Sequence, residues 1–321
     1  MRKDINEPKI VVLGGGTGLS VLLKGLKKYT SNLTAIVSVS DDGGSSGRLR
    51  AELGVLPPGD IRNCLVALAE TETLMDKVFQ HRFIAEGSLK GHNLGNLLLV
   101  AMAEITGDFT SAIREVSKVL AVRGRVLPAT LEQVILGAKM QDGSTIHGET
   151  ALREYESKIA QVFLVPETCR PLPEAMNALN DADAIVIGPG SLYTSIMPNL
   201  LVHDIKEGIV ASEAITFYVS NIMTELGETD DYTAADHLKV ILEHVNEQII
   251  DYVIVNSGVI DEQRLLRYKQ EKAIPVKANN EEILQMGANV IEADLVSDDD
   301  VAWHDPDKLA LAIIEMLQRS R

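Results

Sequence analysis

Only two cysteines occur in the 321 residues, Cys64 and Cys169. Two are too few for a disulfide framework, and Cys64 falls inside a helical pattern, so a reducing cytoplasm is expected. Basic residues are also scarce: 30 Lys and Arg stand against 46 Asp and Glu, a net charge of −16. That balance argues against a nucleic-acid or anionic-membrane surface. An anion site in such a chain must make its own positive potential from helix ends, a few arginines or a metal. No apolar run approaches the roughly 20 residues of a membrane span. The polar start Met1–Pro8 has no signal-peptide core. Repeats and low-complexity tracts are missing too. Two familiar glycine signatures are likewise missing: the third glycine of a dinucleotide fingerprint would fall at Leu19, and no Gly-Lys-Ser/Thr closes a P-loop.

What is present centres on Ile10-Val11-Val12-Leu13 followed by Gly14-Gly15-Gly16-Thr17-Gly18. The apolar run reads as a buried parallel strand over 9–13. Leu19, Leu22, Leu23 and Leu26 then recur at helical spacing, predicting a helix over 18–28. A glycine turn between strand and helix presents backbone N–H groups at a positive helix end, which suits a phosphate. A tight connection without a ligand would not need so many glycines in a row. A second strand over 33–39 ends in Ser40-Asp41-Asp42-Gly43-Gly44-Ser45-Ser46-Gly47-Arg48, at the sheet edge where ligands collect. Asp41 falls near the place of a ribose-binding carboxylate. Two adjacent carboxylates also suit a divalent cation held against phosphates; a solvated Asx turn is the alternative.

Pro57-Pro58-Gly59-Asp60 restarts a helix with Asp60 expected as its N-cap and Arg62 and Asn63 in the first turn. A mostly helical segment of about 60–122 contains Gly91-His92-Asn93-Leu94-Gly95-Asn96, which opens an apolar helix. His92, Asn93 and Asn96 are candidate contacts there, against a purely capping or packing role. Gly95 in the first turn implies a close approach by another group. Residues of about 126–165 read as a β-rich insertion, with a hairpin turn at Gln141-Asp142-Gly143. Pro171 and Pro173 start a helix to Asn180. Ala184–Ile187 then returns to the parallel pattern and leads into Gly188-Pro189-Gly190-Ser191-Leu192-Tyr193-Thr194-Ser195, a second strand–glycine–helix unit rich in hydroxyls. Further strands are expected at 215–219, ending in Ser220-Asn221, and at 252–255, with alternation continuing through Ile274 and Val290 to a last helix near 307–318. Strands with polar or glycine ends, alternating with helices, predict a doubly wound, mostly parallel α/β sheet with a β-hairpin insertion, built as one domain over 1–321.

Five ordered motifs, at 14–18, 40–48, 58–63, 91–96 and 187–196, resemble the bacterial gluconeogenesis-factor family, which lies in the superfamily of the 2-phospho-L-lactate transferase. The resemblance covers nearly the whole chain. It implies a Rossmann-like fold, binding of UDP-sugars, notably UDP-N-acetylglucosamine, and a role in cell shape and wall synthesis during gluconeogenic growth. By the same resemblance Gly14–Gly18 match a phosphate loop, Gly188–Ser195 a second phosphate-side loop, and Asp41 and Asp42 the acids that lie near metal and phosphate in the transferases. The stretch Gly43–Gly47 departs from the transferases. Aromatics make up only 4% of the chain, which leaves little to hold a flat deazaflavin.

Three functions compete. The first is a cytoplasmic regulator that binds a nucleotide sugar, works with a cell-wall synthesis protein and forms a homo-oligomer. The second is a metal-assisted phosphoryl, phospholactate-type or nucleotidyl transferase using Asp41 and Asp42, with Mg²⁺ the candidate metal. The third, a dinucleotide-binding redox protein, is weakened by Leu19. The expected ligand contacts are Gly14, Gly15, Gly16, Thr17, Gly18, Asp41, Asp42, Ser45, Ser46, Arg48, Asp60, Arg62, Asn63, His92, Asn93, Asn96, Gly188, Pro189, Gly190, Ser191, Thr194, Ser195 and Asn221.

Overall fold

Short aliphatic runs make the strands, and in the computed structural model they assemble into two sheets. Residues 7–70, 74–84 and 86–320 are described. Most of the polar start, and residues 71–73 and 85 of the helical segment, lie outside them. The larger sheet contains β1 (Ile10–Gly14), β2 (Leu33–Val37), β3 (Arg125–Pro128), β7 (Ala184–Ile187), β8 (Ile215–Val219), β9 (Tyr252–Asn256) and β10 (Asn289–Ala293). Its order is β10-β9-β8-β7-β1-β2-β3, and every pairing is parallel. The register sets Leu13 beside Ile36 of β2 and Ile187 of β7. Every residue of β1 and β2 is buried, as a sheet covered on both faces requires. Successive β1 residues serve opposite cores: Val11 and Leu13 face one, Ile10 and Val12 the other.

The helix α1 (Gly16–Leu26) buries Leu19, Leu22, Leu23 and Leu26 on the Ile10/Val12 side. Leu192, Ile196, Met197 and Leu200, which follow β7, pack on the other side. The chain therefore leaves β1 and β7 towards opposite faces, and the strand order reverses between them. That is the topological switch point, outside whose carboxyl strand ends an open α/β sheet binds ligands.

The loop expected at 40–48 gives way at Gly44 to a helix, α2 (Gly44–Leu53), and the helical segment expected at about 60–122 consists of α3 (Gly59–Leu68), α4 (Leu74–Gln80), α5 (Leu94–Thr106) and α6 (Phe109–Val119). Among the described residues no single helix is long and apolar enough to cross a membrane; α5 and α6 pass only as a pair bent by 119°. The insertion is a three-stranded antiparallel sheet, β5 (Thr145–His147), β4 (Ile135–Met140) and β6 (Ile159–Val165), carrying the short helix α7 (Glu149–Glu154).

Three further expectations need correction. Helix α1 starts at Gly16 rather than 18, so most of the glycine turn is already helix. The insertion starts near 135 rather than 126, because β3 is the edge strand of the main sheet, paired to β2. Ile274 lies in no strand; its N–H donates to the Thr224 hydroxyl at 3.0 Å.

Candidate functional site

The carboxyl ends of β1 and β7 are joined by Gly188 N–H donating to Leu13 O at 2.8 Å. Gly15 is the N-cap of α1, and Gly16 sits at φ +64°, a left-handed conformation that suits glycine. Asn199, fully buried, donates to both Gly14 O (3.0 Å) and Ser195 O (2.8 Å) and so ties the two glycine loops together. A side chain at Gly18 would meet Pro189 O at 2.5 Å. Part of the glycine content therefore serves contact between the two loops. Both loops open on one cavity of about 650 Å³.

Ten of the expected contacts line this cavity: Gly15, Gly16, Thr17, Gly18, Asp41, Asp60, Pro189, Gly190, Ser191 and Asn221. The others do not. Gly14 and Gly188 close the strand ends behind it. Thr194 and Ser195 lie one layer deeper, with the Thr194 hydroxyl donating to Glu228 Oε1 at 2.9 Å.

Asp60 is not an N-cap. Pro58 holds that position, and the Asp60 carboxylate instead accepts Gly16 N–H at 2.7 Å. An in-chain acid thus occupies one N–H of the helix end that the sequence offered to a phosphate. The first-turn N–H groups of Thr17 and Gly18 have no acceptor within the helix, as at every helix start.

The acid pair is divided. Asp41 faces the cavity, its Oδ1 accepting Gly43 N–H at 2.9 Å in an Asx turn. Asp42 faces α7, where Oδ1 accepts both N–H (2.9 Å) and hydroxyl (2.7 Å) of Thr150. The pair therefore does not fit the two-carboxylate seat for a metal that its spacing suggested. Among the described residues no group of three or more His, Cys, Asp or Glu side chains is placed to hold a metal ion.

Most of the remaining motif residues bond within the protein, while Arg62 Nε and Asn96 Oδ1 are buried without a hydrogen-bond partner. Ser45 Oγ accepts Asn93 N–H at 3.2 Å and lies 3.3 Å from His92 Nδ1. Asn93 caps α5 by accepting Asn96 N–H. Ser46 Oγ accepts Gly59 N–H at 3.1 Å. Arg48 donates to Lys90 O, and Arg62 to Asn63 Oδ1. These bonds fasten the starts of α2, α3 and α5 to one another. The close approach at Gly95 is that of the Phe79 carbonyl and the Arg62 side chain.

The rest of the wall comes from residues that the motifs did not include: Glu149 and Arg153 of α7, the 222–226 stretch after β8, Tyr268, Glu271 and Ala273, and Ala302, Trp303 and His304. Among the described lining residues Arg153 is the one Lys or Arg, against five acids: Asp41, Asp60, Glu149, Glu225 and Glu271. Arg153 donates to Glu149 Oε1 (2.9 Å) and to the Thr194 hydroxyl (3.2 Å) and lies 3.5 Å from Glu228 Oε1.

Burial dominates the electrostatics. It pushes the Glu149 carboxyl up to about 8, with Arg153 opposing and Asp41, Asp60 and Glu228 adding repulsion. It also pushes Asp60 up to about 6, against the Gly16 N–H. Glu225 and Glu228 are raised for the same reason, although Arg153 opposes in both. For Arg153 burial works against the charge, but the Glu149 and Glu228 carboxylates outweigh it and hold the guanidinium ionised. Burial therefore favours the neutral form of Glu149, and the cavity holds its negative charge at a cost. Strongly shifted carboxyls in a cleft mark a functional site.

The family described as 2-phospho-L-lactate transferase CofD matches residues 10–296. The chain is 51% identical over 313 residues to a gluconeogenesis factor of Bacillus subtilis, covering 97% of this chain and 99% of that protein. It is 50% identical to a gluconeogenesis factor of Halalkalibacterium halodurans, covering 97% of each. A crystal structure of a UPF0052 family member from Bacillus halodurans superposes with a TM-score of 0.93 at 48% identity, covering 97% of this chain and 99% of that one.

Proposed function

The chain belongs to the gluconeogenesis factor family within the CofD fold family, and from that premise we propose that it binds a UDP-sugar of the UDP-N-acetylglucosamine type as a regulator. The observation that carries this reading is the opening of both glycine loops, Gly15–Gly18 and Pro189–Ser191, onto one cavity at the switch point. A diphosphate there meets the first turn of α1 and the Arg153 guanidinium, while burial disfavours charge on Glu149. The cavity volume suits a ligand of that size. The family resemblance extends the reading to a cytoplasmic role in cell shape and wall synthesis during gluconeogenic growth, through a protein partner and a homo-oligomer.

The transferase alternative keeps one supporting observation, that Asp41 faces the cavity. With Asp42 turned to α7, a Mg²⁺ ion would rest on Asp41 and on the ligand's own phosphates. Calorimetry with UDP-N-acetylglucosamine, with and without Mg²⁺, followed by chromatography of the incubated ligand, separates the two. The regulator reading expects saturable binding, little Mg²⁺ dependence and intact ligand. Mg²⁺-dependent turnover beyond one equivalent supports the transferase instead, and no binding sinks the regulator reading.

A further inference from the structure

His304 lines the same cavity, next in sequence to the chain's single tryptophan, Trp303. Its place is fixed by backbone bonds: Val296 and His304 form a β-bridge, and Asp305 N–H donates to Leu295 O at 2.7 Å. Only 9% of the residue is exposed. Its Nε2 lies 3.1 Å from Ser220 O, a carbonyl that only accepts. The Nε2 must therefore carry the proton, and burial pushes the imidazole down to about 4, so the ring is neutral. One tautomer remains, with Nε2–H donating to Ser220 and Nδ1 left as a bare lone pair. That nitrogen is a fixed acceptor in a cavity whose lining also includes Met223, Tyr268, Ala273, Ala302 and Trp303.

A fixed acceptor discriminates among bases. Uracil and guanine carry an imino N–H, at N3 and N1, on their Watson–Crick edge. Cytosine and adenine carry a ring nitrogen lone pair there, which would face Nδ1 with no proton between them. We propose that His304 selects the base: its Nδ1 accepts the imino N–H of a uracil or guanine ring and rejects cytosine and adenine nucleotides. The inference rests on the nucleotide-sugar reading of the cavity and adds the basis of its specificity. His304 is here a specificity-determining residue, and Ser220 O is its positioning partner.

The test measures dissociation constants for UDP-, GDP-, CDP- and ADP-glucose on the parent protein and two variants. His304→Gln places a side-chain amide near Nε2, keeping the bond to Ser220 O, and removes the acceptor at Nδ1. His304→Asn places its Oδ1 near Nδ1 and gives up the Ser220 bond. The parent is expected to favour UDP- over CDP-glucose tenfold or more, the cost of a buried polar group losing its partner. His304→Gln should bring that ratio near one, and His304→Asn should keep most of it. A merely structural histidine predicts the reverse, with Gln harmless and Asn damaging. UDP-glucose methylated at N3 tests the parent without mutation and should bind at least tenfold more weakly than UDP-glucose. Equal binding of the methylated ligand, or a base ratio that survives His304→Gln, overturns the assignment to His304 and leaves the UDP-sugar reading standing. Failure of all four, and of UDP-N-acetylglucosamine, to bind the parent overturns that reading and this inference with it.

Discussion

The two ends of the parallel strands have been finished in opposite ways. At the amino edge of the main sheet, polar groups are consumed by the sheet itself. Asp251 accepts Thr216 N–H through its side chain (2.8 Å) and Asn289 N–H through its carbonyl (2.8 Å), and Asp183 receives Lys9 N–H. A shallow hollow there, lined by Ser212, Thr216, Gln248 and Asp251 among others, follows from ordinary strand starts. At the carboxyl edge, Asp60, Glu149, Glu225 and Glu228 are buried at a cost that raises all four. Glu228 Oε2 lacks any hydrogen-bond partner. One edge spends its polar atoms on stability, and the other keeps them destabilised around a cavity, as expected where a ligand completes the set.

The largest effect should come from Arg153, the cation that holds the carboxyl edge together. Arg153→Ala leaves Glu149 and Glu228 without their counter-charge and is expected to weaken UDP-sugar binding by about tenfold to a hundredfold. Breaking a buried pair costs about 3–5 kcal/mol, but Arg153 is 52% exposed, so a stability loss of about 1–3 kcal/mol is expected. Denaturant melts and calorimetry read the two separately. Unchanged affinity would remove Arg153 from the ligand site.

The second effect is a pH dependence. A carboxyl with a folded pKa above its unfolded value binds more protons folded than unfolded between the two. Stability is then highest below that window and is lost as pH rises through it. The window runs from 4.5 to about 8 for Glu149 and from 3.8 to about 6 for Asp60. Melting temperature should therefore fall as pH rises from about 5 to 8. Glu149→Gln should flatten this slope and stabilise the protein by on the order of 1–3 kcal/mol at pH 8, with the gain vanishing as pH falls below 4.5. A parental slope in that variant would show that Glu149 is not the group responsible.

The third effect distinguishes the adjacent acids. Asp42→Ala removes a cap supplied to α7 from outside its own helix and should cost about 1 kcal/mol. Asp41→Asn should leave stability within about 0.5 kcal/mol of the parent and act on the ligand instead. Equal effects of both on affinity, with no loss of stability in Asp42→Ala, would restore them as a functional pair.

Legibility in the sequence followed the range of the interactions. Strands β1, β2 and β7 were readable because their β-branched runs are buried on both faces, and the glycine loops because their turns need small residues locally. The order of the sheet places those loops together, which alternation of strands and helices foretold. Asp60 was misread because Pro-Gly-Asp is good local capping chemistry, while its actual partner, Gly16 N–H, lies 44 residues away in sequence. Ser45, His92 and Asn93 look like ligand contacts until their mutual bonds are seen. Strand β3, four residues ending in proline, resembles the hairpin that follows it, and only its pairing with β2 assigns it to the main sheet. Glu149 and Arg153 had no sequence signal, since Glu-Thr-Ala-Leu-Arg-Glu reads as an ordinary surface helix. Their role comes from where the insertion folds back.

The smallest effect is expected at the amino edge, and it bears on whether the two edges are independent. Asp251→Ala removes the acceptor of Thr216 N–H, where β8 begins. The backbone pairing of Asp251 N–H with Thr216 O, at 2.9 Å, stays in place. Water can reach that hollow and take over part of the lost bond, so the cost should be near 1 kcal/mol. Strand β8 runs from this hollow to Ser220, whose carbonyl orients His304 at the other edge. A shift of β8 along its axis would therefore be felt at the ligand. The parallel register on both sides, Ile185 with Thr216 and Phe217 with Tyr252, opposes any such slide. Asp251→Ala should thus lower the denaturation midpoint slightly while leaving affinity for a UDP-sugar and the UDP- over CDP-glucose ratio unchanged. A threefold or larger change in either would mean that the strand transmits strain from edge to edge, and that the amino edge belongs to the working site.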